Sequence, residues 1–211
     1  MEIPVLFRDQ RFVVLDKPAG LKVHAGPGGG PSVEDWFPHL SRRKDGPWLA
    51  HRLDADTAGC LVVALRKSAL LAAQAEFGAG RAEKTYWAVV DGGPQATAGV
   101  VDLPLRRVSN AAGWRMEGGP GGDAAVTEWR VRGQAKGMSW LELKPRSGRT
   151  HQVRAHCAAL GCPIRGDAVY GAGGGRLMLL ARAIHLPLDP PLSAEAPVPP
   201  HMRGALAQLG G

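Results

Sequence analysis

His51-Arg52-Leu53-Asp54-Ala55-Asp56-Thr57-Ala58-Gly59 runs directly into the apolar stretch Cys60-Leu61-Val62-Val63-Ala64-Leu65. This order places one carboxylate, Asp54, beside a basic residue, in a small-residue turn that leads into a buried strand. Binding and catalytic groups concentrate on loops held by a rigid scaffold. An ordinary acidic turn is the competing reading for a lone Asp, so the rest of the chain has to decide.

Strand and helix signals spread outward from that stretch. Phe12 to Asp16 is a β-rich run stopped by Pro18-Ala19-Gly20. Gly26 to Pro31 reads as a loop; no Gly-Lys-Ser/Thr ending follows, so it is not a phosphate cradle. Ser32 is placed to cap a short helix with Asp35 in its first turn. Ser68 to Phe77 is rich in Ala and Leu and reads as a helix ended by Gly78 or Gly80. Thr85 to Val90 returns to strand propensity. Ala125 to Arg132 and Ser139 to Lys144 alternate with period 2, and Thr150 to Leu160 reads as a helix capped by Gly161. Leu177 to Leu180 is an apolar strand. Ser109 to Gly122 reads as a long loop and Pro187 to Pro200 as an irregular tail. Strands dominate without regular βαβ spacing, so the expected class is α+β with a largely antiparallel sheet and flanking helices.

The 211 residues are 45% hydrophobic and 21% charged, enough for a sizeable core. The net charge is +7, with nineteen Arg against seven Lys. That balance points to an anionic partner, nucleic acid first, because guanidinium groups suit bidentate phosphate contacts and stacking on bases. Cys60, Cys157 and Cys162 are too few and scattered for a disulfide framework, and their spacing is not that of a metal site. His151 and His156 near Cys157 and Cys162 raise a zinc site only to be set aside. Met1 to Val5 carries no basic segment followed by an apolar core, and no apolar run approaches the roughly 18 residues of a membrane span. The expectation is a cytoplasmic protein, acting as a monomer.

Three further segments bear on Asp54. In Ser147-Gly148-Arg149-Thr150-His151-Gln152, the polar residues stand at a helix start, where free N–H groups attract anions; simple capping is the alternative. In Glu83-Lys84-Thr85-Tyr86-Trp87-Ala88, strand alternation puts Lys84, Tyr86 and Ala88 on one face and Thr85, Trp87 and Val89 on the other. Trp87 is then the buried aromatic, and Tyr86 is left to present its ring to a cleft. In Gly161 to Gly171, Asp167 reads as a structural turn residue, not a second acid.

Taken in order, these segments resemble the RluA-type family of RNA pseudouridine synthases. The resemblance begins at Leu15-Asp16-Lys17-Pro18-Ala19-Gly20-Leu21-Lys22-Val23-His24 and runs through His51 to Gly59, Lys84-Thr85-Tyr86 and Gly148 to His156, ending near Gly161 to Gly171. It implies the family's fold, an antiparallel sheet with helices and loops around an RNA-binding cleft, over residues 1–211 as one catalytic domain. No separate RNA-binding module precedes Leu15. It implies isomerisation of a uridine in ribosomal or transfer RNA to pseudouridine, with no metal and no organic cofactor. Asp54 matches the essential aspartate, Arg149 its basic partner, Tyr86 the active-site tyrosine, and Arg52 a residue that holds the RNA or fills the space left by the extruded base. Ala58 departs from the usual Thr-Ser-Gly, and Leu180 stands where a His is common. Two rivals remain: a catalytically silent RNA-binding protein on the same fold, and a hydrolase using Asp54 and Asp56 as a carboxylate pair.

Overall fold

The computed structural model describes residues 2–43, 45–110 and 113–211. The chain divides into two compact units, Met1–Lys84 with Ala181–Pro197, and Thr85–Leu180 with Val198–Gly211.

In the first unit, β1 (Val5–Arg8) pairs with β2 (Phe12–Lys17), which pairs with β4 (Ala58–Ala64), all antiparallel. Strand β3 (Trp48–Leu49) also pairs with β4. All seven residues of β4 are buried, and five of the six in β2. Both faces of these strands are covered, which is why the sequence shows continuous apolar runs instead of alternation. Asp9 fixes the β1–β2 turn by accepting the N–H groups of Arg11 and Phe12 at 2.7 and 2.6 Å. A short 3-10 turn (Val33–Trp36) leads into α1 (Phe37–Leu40). Ser32 is the N-cap of that turn with Asp35 in its first turn, as expected, and Asp35 also accepts the Ser32 N–H at 2.9 Å.

Helix α2 (Lys67–Gly78) buries Ala69, Leu70 and Ala73. It ends where Gly80, at φ +70°, turns the chain. The region expected to be an irregular tail contains β12 (Leu192–Glu195), paired with β11 (Leu179–Leu186). An edge strand tolerates the adjacent Pro190 and Pro191 because prolines there break no central ladder, and a four-residue strand beside them leaves little signal.

In the second unit, the strand order is β5 (Glu83–Asp91), β10 (Met138–Pro145), β9 (Val126–Ala135), β6 (Ala98–Asp102), again antiparallel. Lys136 and Gly137, at φ +50° and +72°, make the tight β9–β10 turn, whose primed geometry matches the strand twist. Helix α3 (Gln152–Ala159) closes as expected on Gly161, with the Cys162 N–H bonding the Cys157 carbonyl at 3.1 Å. A second helix, α4 (Pro200–Gln208), starts on a proline and buries Met202 and Leu206.

The expected loop over 109–122 is corrected. Strands β7 (Leu105–Asn110) and β8 (Gly113–Gly118) form a separate antiparallel hairpin; Ala111 and Ala112 lie outside the described residues. Its strands are mostly exposed and rich in Arg and Gly, so neither alternation nor an apolar run announced it.

Candidate active site

In the first unit, Asp54 opens a β-turn. Its carbonyl accepts the Thr57 N–H at 3.2 Å, and Asp is favoured at the first position of such turns. Asp54 is half-buried and Asp56 exposed, so the two carboxylates do not share an environment. Leu53, Thr57 and Ala58 on either side are buried and pin the turn to the start of β4. Arg52 is exposed.

A lysine that residue-level reading passed over holds this turn. Lys17 ends β2 and is fully buried. Its ammonium donates to the carbonyls of Pro18 at 2.9 Å, Leu21 at 2.7 Å and Ala55 at 2.7 Å, which uses all three of its protons. The Ala55 carbonyl also accepts the Gly20 N–H at 2.9 Å. The Pro18–Leu21 turn and the Asp54 turn are thus tied at one oxygen. Burial pushes the Lys17 ammonium down to about 8, against the pull of Asp56 and Asp54, so at neutral pH it remains mostly protonated. No pattern in the sequence marks a buried lysine; its place between an apolar strand and Pro18-Ala19-Gly20 is the only hint.

His51, half-buried, accepts the Val62 N–H at Nε2 (3.0 Å) and packs on Phe77. Burial, with the Lys84 charge adding to it, lowers its pKa to about 4. His51 is therefore neutral, with its proton on Nδ1, and supports the turn as a structural residue.

In the second unit, Tyr86 is half-buried and packs against the core that includes Ala88, Val90, Leu141, Leu143 and Val153. Trp87, on the other face, meets Trp140 edge-on at 4.7 Å. The alternation of faces holds, but Trp87 is not the buried aromatic that was expected: both rings are half-buried, and Tyr86 is packed against this core. Arg149 lies in the irregular segment before α3, its side chain 43% exposed. Its Nε donates to the Ala124 carbonyl at 3.2 Å, and its guanidinium stands 3.8 Å from the Asp123 carboxylate. The N-cap of α3 is His151, in the left-handed region at φ +52°. Gln152, one residue later, is buried.

The β7–β8 hairpin lies against this segment. Trp114 stacks on His151 at 4.8 Å, and the Arg107 guanidinium sits 4.7 Å from the Trp114 ring. The Tyr170 hydroxyl accepts the Met116 N–H at 2.9 Å and hydrogen-bonds His151 Nδ1 at 3.1 Å. Beneath it, Arg154 holds Asp167 through two bonds of 2.7 and 2.9 Å, and both are buried. Burial alone would raise the Asp167 pKa. The Arg154 bond and charge, with the Val169 and Tyr170 N–H groups, outweigh that and bring it below the usual carboxylate value. Asp167 is the structural residue the sequence suggested. Cys60, Cys157 and Cys162 are buried and free. His156 has both ring nitrogens engaged by Thr127 and Leu103.

Residues 11–159 match the RNA pseudouridylate synthase family. The chain belongs to the RluA-type family of RNA pseudouridine synthases. It is 39% identical over 204 residues to an uncharacterized RNA pseudouridine synthase of Zymomonas mobilis, covering 92% of this chain and 93% of that protein. It is 35% identical over 178 residues to ribosomal large subunit pseudouridine synthase D of the same organism, covering 80% of this chain and 56% of that one. Human RNA pseudouridylate synthase domain containing 4 superposes with a TM-score of 0.82 at 27% identity, covering 98% of this chain and 92% of that one. The synthase is therefore an isomerase with the α+β fold of this family. Among the described residues, no helix is long and apolar enough to cross a membrane.

Proposed function

We propose that this synthase isomerises uridine within structured ribosomal or transfer RNA, with Asp54 as its essential carboxylate. The observation that carries the reading is the Asp54 turn: a half-buried carboxylate whose backbone is fixed by Thr57 and, through Ala55, by the buried Lys17 ammonium. Such a carboxylate is pre-positioned and needs little rearrangement to act.

In the reaction, the N1–C1′ bond of uridine breaks, the uracil turns, and a C5–C1′ bond forms. The C5 proton leaves to solvent and N1 ends protonated, so atoms balance without oxidant, metal or organic cofactor. Asp54 acts as a nucleophile, at sugar C1′ or uracil C6, or stabilises a cationic sugar. Arg149, as the family resemblance implies, is the basic partner that orients Asp54. The target base leaves its stack, Tyr86 takes its face and assists removal of the C5 proton, and Arg52 holds the RNA around it. The hairpin arginines Arg106, Arg107 and Arg115 suit phosphate contacts. Residues 1–211 act as one catalytic domain, as a monomer, in the cytoplasm.

The test is tritium release from unmodified ribosomal and transfer RNA transcribed with 5-tritiated uridine. The wild type is expected to release tritium and Asp54→Asn to release none while remaining folded. Binding without release from any transcript would favour a silent RNA-binding protein, and free uracil would mean hydrolysis. Arg149→Ala is expected to lower turnover sharply with the fold intact; collapse of that variant would make Arg149 structural.

A further inference from the structure

Three buried polar side chains with no part in the chemistry above lie directly under Arg149: Thr127 and His156 are fully buried and Gln152 is 4% exposed. They form one continuous hydrogen-bonded chain. Gln152 Oε1 accepts the Arg149 backbone N–H at 3.0 Å and the Ser147 hydroxyl at 2.8 Å. Gln152 Nε2 donates to the Val126 carbonyl at 3.0 Å and to Thr127 Oγ1 at 3.1 Å. Thr127 Oγ1 lies 2.8 Å from His156 Nδ1, and His156 Nε2 lies 3.0 Å from the Leu103 carbonyl.

The partners give this chain a single direction. The Arg149 N–H can only donate and the Val126 carbonyl can only accept, so the orientation of the Gln152 amide is fixed from both sides. Thr127 Oγ1 accepts from that amide and turns its own proton toward His156 Nδ1. The Leu103 carbonyl can only accept, so His156 donates to it from Nε2, and in the neutral ring Nδ1 is the acceptor for Thr127. Burial, which lowers the His156 pKa, favours the same neutral form. Each member thus has its donor or acceptor role set by the next, and a half-satisfied network of this kind would be costly. At one end stands the connection after β6, in the middle β9 and α3. At the other end stands the irregular segment that carries Arg149, whose residues 146–149 lie outside helix and strand.

We infer that Thr127, Gln152 and His156 are positioning residues for the reaction: they lock the backbone of Arg149 so that its exposed guanidinium is presented from a rigid base. The inference rests on the proposed role of Arg149. An exposed arginine on a loose loop would sample many positions, and a misplacement of about 1 Å can cost roughly 100-fold in rate. None of the three touches substrate in this scheme; they act through the Arg149 amide.

Two measurements test this separately from the reading beneath it. The first is amide hydrogen exchange. The Arg149 amide is expected to exchange slowly in the wild type, and faster in Thr127→Val, which keeps the side-chain shape but removes the hydroxyl. Fast exchange at Arg149 in the wild type overturns the relay, whatever the protein catalyses, and needs no variant to fold. The second is single-turnover tritium release with the 5-tritiated transcripts, alongside RNA affinity. Thr127→Val is expected to slow the step roughly 10- to 100-fold with RNA affinity little changed, and Thr127→Ser to restore most of the rate. In an Arg149→Ala background, Thr127→Val is expected to cost nothing further, because both act through one group. A wild-type rate for Thr127→Val, or an undiminished loss in the Arg149→Ala background, refutes the relay while leaving the reading of Arg149 intact. A wild-type rate for Arg149→Ala removes that reading and the inference with it.

Discussion

Asp167→Asn should destabilise the second unit by about 3 kcal/mol, within the roughly 3–5 kcal/mol seen when one partner of a buried ion pair is removed. The geometry says why. Asp167 Oδ1 accepts the N–H groups of Val169 and Tyr170 at 2.9 and 3.1 Å and Arg154 Nη2 at 2.9 Å. Oδ2 accepts Arg154 Nε at 2.7 Å. An asparagine keeps the turn bonds through its oxygen but sets its amide N–H₂ against the Nε–H, donor to donor, and leaves the guanidinium charge buried without its counter-charge. Side-chain exposures of 7% for Arg154 and 0% for Asp167 leave little room for water to compensate.

Urea unfolding followed by tryptophan emission reads this directly, since Trp87, Trp114, Trp129 and Trp140 all lie in the second unit. In melting temperature the expected loss is roughly 6–12 °C for a chain of this size. Arg154→Met combined with Asp167→Asn should recover at least half of the loss, because the stranded charge is gone. The wild-type contribution should also follow pH with a definite sign. A carboxyl whose folded pKa is lowered contributes stability above its unfolded value of about 4, and that contribution drains away as pH falls below it. A cost under about 1 kcal/mol for Asp167→Asn, or no recovery in the double variant, would refute the assignment of this pair as a desolvated ion pair.

Gly133→Ala is expected to loosen the C-terminal segment, because its Cβ would lie 1.8 Å from the Leu209 carbonyl oxygen; a loss of about 1–3 kcal/mol, with faster hydrogen exchange in α4, is the outcome, and an unchanged melting temperature would contradict it. His51 titrates near 4 in the folded chain against about 6.5 unfolded, so stability should be intact above pH 6.5 and fall by up to about 3 kcal/mol as pH drops from there toward 4. His51→Gln, which can still accept the Val62 N–H, should flatten that acid slope, and an unchanged slope would refute the assignment. Burial pushes the Cys60 thiol up to about 12 and raises those of Cys157 and Cys162; a thiol reagent at pH 8 should therefore find almost no reactive thiol in the native chain and three after denaturation, and rapid native labelling would contradict this.

Legibility from the sequence followed local signal strength. The Gly59 to Leu65 strand, the Ser68 to Phe77 helix and the Gly161-capped helix were readable, because long apolar runs, Ala-rich periodicity and a C-terminal glycine each have a local physical cause. Hairpin β7–β8 was not: its inward residues Leu105 and Met116 are separated by arginines, and what holds it is tertiary, the Tyr170 hydroxyl on the Met116 N–H and Trp114 on His151. Strand β12 was hidden by the prolines beside it. The candidate site divides the same way. Asp54, Tyr86 and Arg149 stood out because their motifs are contiguous. Lys17 and the Thr127–Gln152–His156 chain did not, because the links that complete them are long-range: only the folded backbone brings an Ala55 carbonyl to an ammonium at position 17, or Thr127 to Gln152 and His156.

Those two hidden devices answer the same physical problem by opposite means. Asp54 and Arg149, the groups proposed to act, both stand on backbone outside helix and strand. Lys17 answers with charge. Three carbonyl oxygens converge where the Pro18–Leu21 turn meets Ala55, and a methionine of similar length would remove the ammonium from all three, leaving Ala55 only the Gly20 N–H. Burial pushes the ammonium down to about 8, yet it stays mostly protonated at neutral pH, where it supplies three charge-assisted bonds of roughly 1.5–3 kcal/mol each. The charges of Asp56 and Asp54 in turn favour the charged form of Lys17. The Arg149 segment answers with neutral groups, because a second buried cation under a guanidinium would repel it. A glutamine is the side chain that can accept an exposed segment's N–H at one atom and donate into the core at the other. The carboxylate is thus braced by a cation and the cation by an amide, each support chosen by the charge it has to tolerate above it.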